Sequence, residues 1–300
     1  MPTDEDRTTH IEPCRRRNRA DACEFVIGKL ENLGLRVDPS SRWGKLRQLL
    51  FMADGTPRAM VSPTDPDFES ALEGHRDLNQ LSFVFDVLPD DFLAAHSDKL
   101  RLLLKDPGLP QDAKKTSHGR NTQTELYVAA ICWRAGLRPV TLNEPDVRCV
   151  HKNMTFGLAV KRLKTNQSRL RDRVKDAANQ IERSQLPGLI MLDTSLVGNP
   201  ENNRLWNPVP CEVFEATYRI AMDVFVTRYI DEFREWVRGR GVRGIIVMDS
   251  QLRLAPDGDW EHCGMTAGIQ AELFNKRRGR EFESLWSALR WGIPNLADHP

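Results

Sequence analysis

Apolar positions follow two regimes along the chain. From about Arg19 to Leu104 they recur three or four residues apart, the spacing of one helix face. Cys23, Val26, Ile27 and Leu30 stop at Gly34, and Trp43, Leu46, Leu49 and Leu50 form a second stripe. Pro66 to Leu88 has an acidic first turn followed by Leu72, Leu78, Leu81, Phe85 and Leu88. Asp90, Asp91 and Phe92 open a further helix that runs through Leu100 and Leu103. No strand is predicted in this half. Lys105 to Gln123 is rich in Pro, Gly and polar residues without apolar periodicity and reads as a connection. The expected organisation is a disordered basic tail over 1–18, a helical domain over 19–110, a linker over 111–122 and a second domain over 123–300.

The second half alternates. A helix is predicted over Thr124–Gly136, capped by Thr122 or Thr124, striped by Leu126, Ala129, Ala130 and Trp133, and ended by Gly136. Short strands follow at Arg138–Leu142, Pro145–Val150 and Thr155–Leu163. A helix over Gln167–Ser184 is broken by Pro187–Gly188, and Leu189–Asp193 reads as a buried strand. A long amphipathic helix, Cys211–Arg238, leads into the strand Ile245–Met248, which ends at Asp249. The order α-β-β-β-α-β-α-β predicts an α/β fold with its sheet covered on both faces. Two helices, around Ile269–Arg277 and Phe282–Leu289, complete the reading.

Composition narrows the picture little. The 43 lysines and arginines nearly cancel the 42 aspartates and glutamates, so any argument about charge must come from local patches. No apolar run approaches the ~18 residues of a membrane helix. Met1 to Asn18 is polar, with Arg15, Arg16 and Arg17 and no apolar core of a secretory signal. The six cysteines are scattered without a C-x-x-C pair, which argues against a zinc site or a disulfide framework. The expected setting is cytoplasmic, with no membrane partner. Phosphate-binding, dinucleotide-binding, zinc-protease and serine-hydrolase strings are all missing, and those chemistries lose support.

The segment from Glu144 to Arg162 carries the chemistry. A hairpin turning at Asn153–Met154 would set Asp146 opposite Lys161 and Arg148 opposite Ala159. Val147, Cys149, Phe156, Leu158 and Val160 then share one face, and Asp146, Arg148, Gly157, Ala159 and Lys161 the other. A carboxylate beside an ammonium suits phosphodiester hydrolysis: Mg²⁺ takes hard oxygen ligands, and a lysine positions the nucleophile. A cross-strand ion pair is the structural alternative. On the next helix Arg169, Arg173, Asp176 and Gln180 stack within about 60° of arc. Lys161 to Lys175 holds seven basic residues and one acidic, a composition suited to a phosphate backbone.

Over Thr122–Asp249 the chain resembles the PD-(D/E)xK nuclease superfamily, the restriction-endonuclease-like fold built on an αβββαβ core. The resemblance rests on Glu125 in the first helix, Pro145-Asp146 at a strand start, Lys161 in Ala159-Val160-Lys161, and Gln180 in the following helix. It implies a Mg²⁺- or Mn²⁺-dependent nuclease acting on nucleic acid, DNA before RNA, in defence or repair, with a homodimer as one arrangement. Glu125, Asp146, Lys161 and Gln180 would be catalytic, Glu125, Asp146 and Asp176 metal ligands, and Arg162, Lys164, Arg169 and Arg173 nucleic-acid contacts. The pattern departs at Ala159, where active members carry an acid. Three outcomes stay open: an acid displaced onto the helix (Asp176, Asp172 or Glu182), a metal held by Glu125 and Asp146 with Glu144 in support, or a module that only binds.

Other features read as structural. His118 and His151 fall in the connection and the hairpin turn, where histidines are mostly solvated. Lys276, Arg277, Arg278 and Arg280 form a basic cluster, Glu261-His262-Cys263 reads as a loop, and Asp193 and Asp249 end buried strands.

Overall fold

The computed structural model describes residues 19–57, 67–108, 118–163, 169–197, 210–254 and 260–294. They divide into two compact units, one within Cys14–Tyr127 and one within Val128–Asp298. Residues 1–18, expected to be a disordered tail, and 109–117, inside the expected linker, lie outside the described residues. No helix of the described residues is long and apolar enough to cross a membrane.

The first unit holds α1 (Arg19–Asn32), α2 (Arg42–Leu50), α3 (Phe68–Val87), α4 (Asp90–Ala95), α5 (Ser97–Leu102) and the first half of α6 (His118–Arg134). Ser41 caps α2, its hydroxyl accepting from the Gly44 N–H at 3.2 Å. Trp43 is enclosed and its indole N–H donates to the Leu103 carbonyl at 3.1 Å. The apolar stripes read from sequence are buried except for half-buried Leu49, and α3 also buries polar residues. Asp77 lies 3.5 Å from Arg42 and 3.3 Å from Arg120, and Gln123 donates to Asp77 at 3.0 Å and to Gln80 at 2.7 Å. Arg76 pairs with Glu73 in the same interior. These contacts explain why α6 begins at His118, six residues before the predicted start. Arg120, Thr122 and Gln123, polar residues that read as linker, are buried members of the helix.

The second unit is a five-stranded mixed sheet in the order β1-β2-β3-β4-β5. Its strands are β1 (Val147–His151), β2 (Met154–Arg162), β3 (Gly188–Asp193), β4 (Val242–Leu254) and β5 (Trp260–Gln270). The outer pairs β1/β2 and β4/β5 are antiparallel and the inner pairs β2/β3 and β3/β4 parallel. Helix α7 (Leu170–Ser184) crosses from β2 to β3, and α8 (Cys211–Val237) from β3 to β4. Both pack on one face: Leu170, Val174, Ala177, Ala178 and Ile181 of α7 join Phe214, Tyr218, Met222 and Phe233 of α8 over Ala159, Ile190, Leu192, Ile245 and Val247. That is where right-handed crossovers put them. The opposite face carries α9 (Lys276–Gly292), seated by Gly244. A Cβ there would come 2.2 Å from the Phe282 ring, so only glycine lets the helix this close. The sheet is thus covered on both faces, as expected.

Three expectations for this unit change. The strand predicted at Arg138–Leu142 is reduced to one antiparallel bridge, Thr141 with Arg148, because Pro139 has no N–H to offer a ladder. The helix predicted around Ile269–Arg277 is absent. Cys263, Met265, Ala267 and Ile269 alternate into the core as β5, and residues 271–275 form a loop before α9. Glu261-His262-Cys263 therefore lies on a strand, not in a loop.

Candidate active site on the first two strands

The β1–β2 hairpin turns through Lys152 and Asn153, both at positive φ (47° and 63°). Arg148 faces Gly157, and Val147 faces Leu158. The register is therefore two residues from the predicted one, because the turn is tight and lies one residue earlier. A slip of two preserves side-chain parity, so every residue keeps its expected face. Asp146 lies just beyond the last rung, on the same side as Lys161.

The two side chains meet. Lys161 Nζ is 3.2 Å from Asp146 Oδ2, and the side chains are 15% and 16% exposed. The same oxygen accepts the Val160 backbone N–H at 2.7 Å. Since Gly157 N–H donates to Pro187 on the β3 side, alternation turns the Val160 N–H toward β1, where the ladder has already ended. The carboxylate therefore substitutes for a missing strand acceptor as well as pairing with lysine. Gly157 makes the approach feasible: a Cβ there would sit 2.8 Å from the Pro145 ring. Arg183 of α7 pairs with Glu144 at 3.1 Å, and Arg148 Nε donates to the Glu144 carbonyl at 2.5 Å, holding the segment from its outer side.

The remaining predicted residues fall in different places. Glu125 lies on α6 in the first unit, where its carboxylate receives Lys99 Nζ at 2.7 Å. Ala159 has no exposed surface and sits in the apolar core with Val174 and Ala177. Asp176, Asp172 and Glu182 are exposed on α7. Gln180, on the same helix, is half-buried, and its Oε1 finds no hydrogen-bond donor among the described residues. Arg169 is exposed and Arg173 half-buried, while Lys164 lies outside the described residues. Arg162 is corrected: it is buried with its guanidinium 3.6 Å from Asp193, so it serves the interior and not a surface-bound strand. Its position at the end of β2 puts it on the α9 face, opposite Lys161.

Two polar groups that read as structural or solvated have built environments. Asp249 accepts from Tyr218 at 2.6 Å, Thr194 at 2.7 Å and Gln251 at 2.7 Å inside the second unit. Burial pushes its carboxyl above the ordinary range, against the pull of those three donors. His151 is not simply solvated: its Nε2 lies 2.8 Å from Ser284 Oγ, which also accepts Lys152 Nζ at 2.8 Å. Burial, with the Lys152 charge second, holds this imidazole below its usual pKa. Apart from Gln251, the partners of these two groups lie far away along the chain, and the local pattern does not announce them.

No group of three or more His, Cys, Asp or Glu able to hold a metal ion occurs among the described residues. Mg²⁺ commonly uses one or two carboxylates and completes its shell with water and substrate phosphate. Asp146 brings one carboxylate to the strand pair, and with Ala159 in the core it does not make a closed cage. Comparison with family models, with curated proteins and with solved structures finds no match.

Proposed function

We propose that the second unit is a nuclease-like module acting on the phosphodiester backbone, DNA in the first instance, at the Asp146–Lys161 pair. The observation that carries this reading is the 3.2 Å contact between a carboxylate and an ammonium side by side on one face of the sheet. The element order supports it as a restriction-endonuclease-like core. α6, the β1–β2 hairpin, α7 and a parallel β3 follow one another in αββαβ order, with only the isolated Thr141–Arg148 bridge where the αβββαβ core has its first strand. In this reading Asp146 would hold Mg²⁺ or Mn²⁺ that arrives with the substrate. Such an ion neutralises charge on the phosphate and acidifies a bound water. Lys161 donates to the attacking water or to a phosphate oxygen, Gln180 orients the phosphate through its amide, and Arg169 and Arg173 hold the flanking backbone. Asp176, exposed on α7, enters as a further metal ligand only if substrate draws it in.

One observation favours a second reading, a non-catalytic module that binds nucleic acid or a protein. Residue 159, the position of the usual acid, is alanine and fully enclosed. Plasmid nicking separates the two. The nuclease reading expects Mg²⁺-dependent cleavage that isosteric Asp146→Asn and Lys161→Met both abolish while circular dichroism stays unchanged. Cleavage surviving both substitutions overturns it. Salt-sensitive DNA binding without cleavage, indifferent to EDTA, selects the second reading.

A further inference from the structure

Away from the strand pair, an open cleft of about 780 Å³ lies between the end of α8 and the loop joining β5 to α9, lined by Arg234, Arg238, Ala271–Asn275 and Lys276. Its aromatic residue is unusual. Phe274 is 98% exposed and its neighbour Leu273 56%, although a phenylalanine normally gains by burial. The loop is tied at both flanks. Ala271 N–H donates to the Arg243 carbonyl at 3.0 Å, the Gln270 amide donates to the Glu272 carbonyl at 2.7 Å, and Asn275 caps α9 by accepting from Arg278 N–H at 3.1 Å. Between these ties the ring stands in solvent.

The charge around it is mostly basic, although Arg234 pairs with Asp231 at 3.4 Å. Arg238 and Lys276 are exposed. Arg234 is steadied from behind, its Nε donating to the Gln270 carbonyl at 3.3 Å. The cleft's acid, Glu272, is paired with Arg278. A flat apolar ring flanked by cations matches a ligand that is flat and apolar on its faces and anionic along its edge. That combination describes a nucleic-acid strand with an unstacked base.

We infer that this cleft binds single-stranded nucleic acid, with Phe274 stacking on a base and Arg238 and Lys276 holding the adjoining phosphates. The inference stands apart from the strand-pair reading: it needs no cleavage, no metal and neither Asp146 nor Lys161. A duplex offers no unpaired base face to the ring and binds here only through its phosphates.

The test uses the full chain and anisotropy of a fluorescein-labelled oligothymidylate. Phe274→Ala and Phe274→Leu should each weaken binding by roughly fivefold or more, the loss expected for one stacked base. Phe274→Tyr should keep it. Arg238→Ala and Lys276→Ala should each lower the slope of log K against log salt by about 0.7. Because Phe274 is almost wholly exposed, these variants leave the fold intact, which thermal melting verifies. Binding that Phe274→Leu retains overturns stacking. Binding lost in Asp146→Asn but kept in Phe274→Ala assigns the strand to the other site and overturns the inference. So does a preference for an acidic peptide or anionic vesicles over the oligonucleotide, with the same sensitivity to Phe274→Ala.

Discussion

The two units bury charge in opposite ways. In the helical unit, ions sit in the interior: Asp77 is 1% exposed between Arg42 and Arg120, with Glu73 and Arg76 close by on the same helix. In the α/β unit, the layer between the sheet and α7 and α8 is nearly all apolar, and ion pairs gather at the strand ends. A sheet satisfies its backbone polar groups internally, so its side chains are free to be greasy. Short helices joined by loops leave backbone and side-chain groups that a buried polar network can tie together, and the network then fixes which helices pair. The difference teaches where each unit is fragile. One should fail when a charge is removed, the other when its shape is changed.

The sharpest test of that contrast is Asp77→Ala. It leaves two arginines buried without their counter-ion, and removing one member of such a group costs about 3–5 kcal/mol. Denaturant unfolding should show the first unit lost well before the second. A change under about 1 kcal/mol would break the comparison, since it is what an exposed pair would give. The matching test of shape is Gly157→Ala. The added methyl would meet the Pro145 ring, at a cost of about 1–3 kcal/mol for overpacking, and would push Asp146 away from Lys161. Unchanged stability together with an unchanged Val160 amide resonance would contradict the role given to that glycine.

Asp249 departs from the rule in another way, being a buried carboxyl held by neutral donors and, among the described residues, no cation. Its folded pKa is raised above the ordinary 3.8, so the folded state holds this proton to higher pH than the unfolded chain does. The stabilisation it brings is complete below pH 3.8 and is lost as pH rises through the folded value. Asp249→Asn should remove that decline, gaining about 1.4 kcal/mol for each unit of upward shift at pH above both values. Parallel stability–pH curves for the two proteins would refute it. The smallest effect is expected on the surface. Lys29→Ala breaks a 3.0 Å pair with the well-exposed Asp90 and should change stability by about 0.5 kcal/mol or less, whichever unit is monitored.

How far these features were legible in the sequence depends on the range of the interaction that sets them. The α7 stripe from Leu170 to Ile181 and the run Leu189–Asp193 announce themselves, because burial imposes a period on neighbouring residues. The meeting of Asp146 and Lys161 was readable for the same reason, since strand parity survives an error of two in register. β5 was obscured by Gly264 and Gly268, which interrupt an alternation that Cys263, Met265, Ala267 and Ile269 otherwise keep. Arg120 and Gln123 looked like linker because their partners, Asp77 and Gln80, lie more than forty residues away. Arg162 looked like a surface cation for the same reason, its partner Asp193 being supplied by the next strand.

Asp146 also turns the Val160 amide into a built-in reporter. That N–H is held by the same oxygen that a cation or an incoming donor would claim. Whatever draws the carboxylate aside must release the amide to water. Its exchange with deuterium would then quicken at one backbone position, and ligand arrival could be timed by magnetic resonance without any dye or substrate turnover.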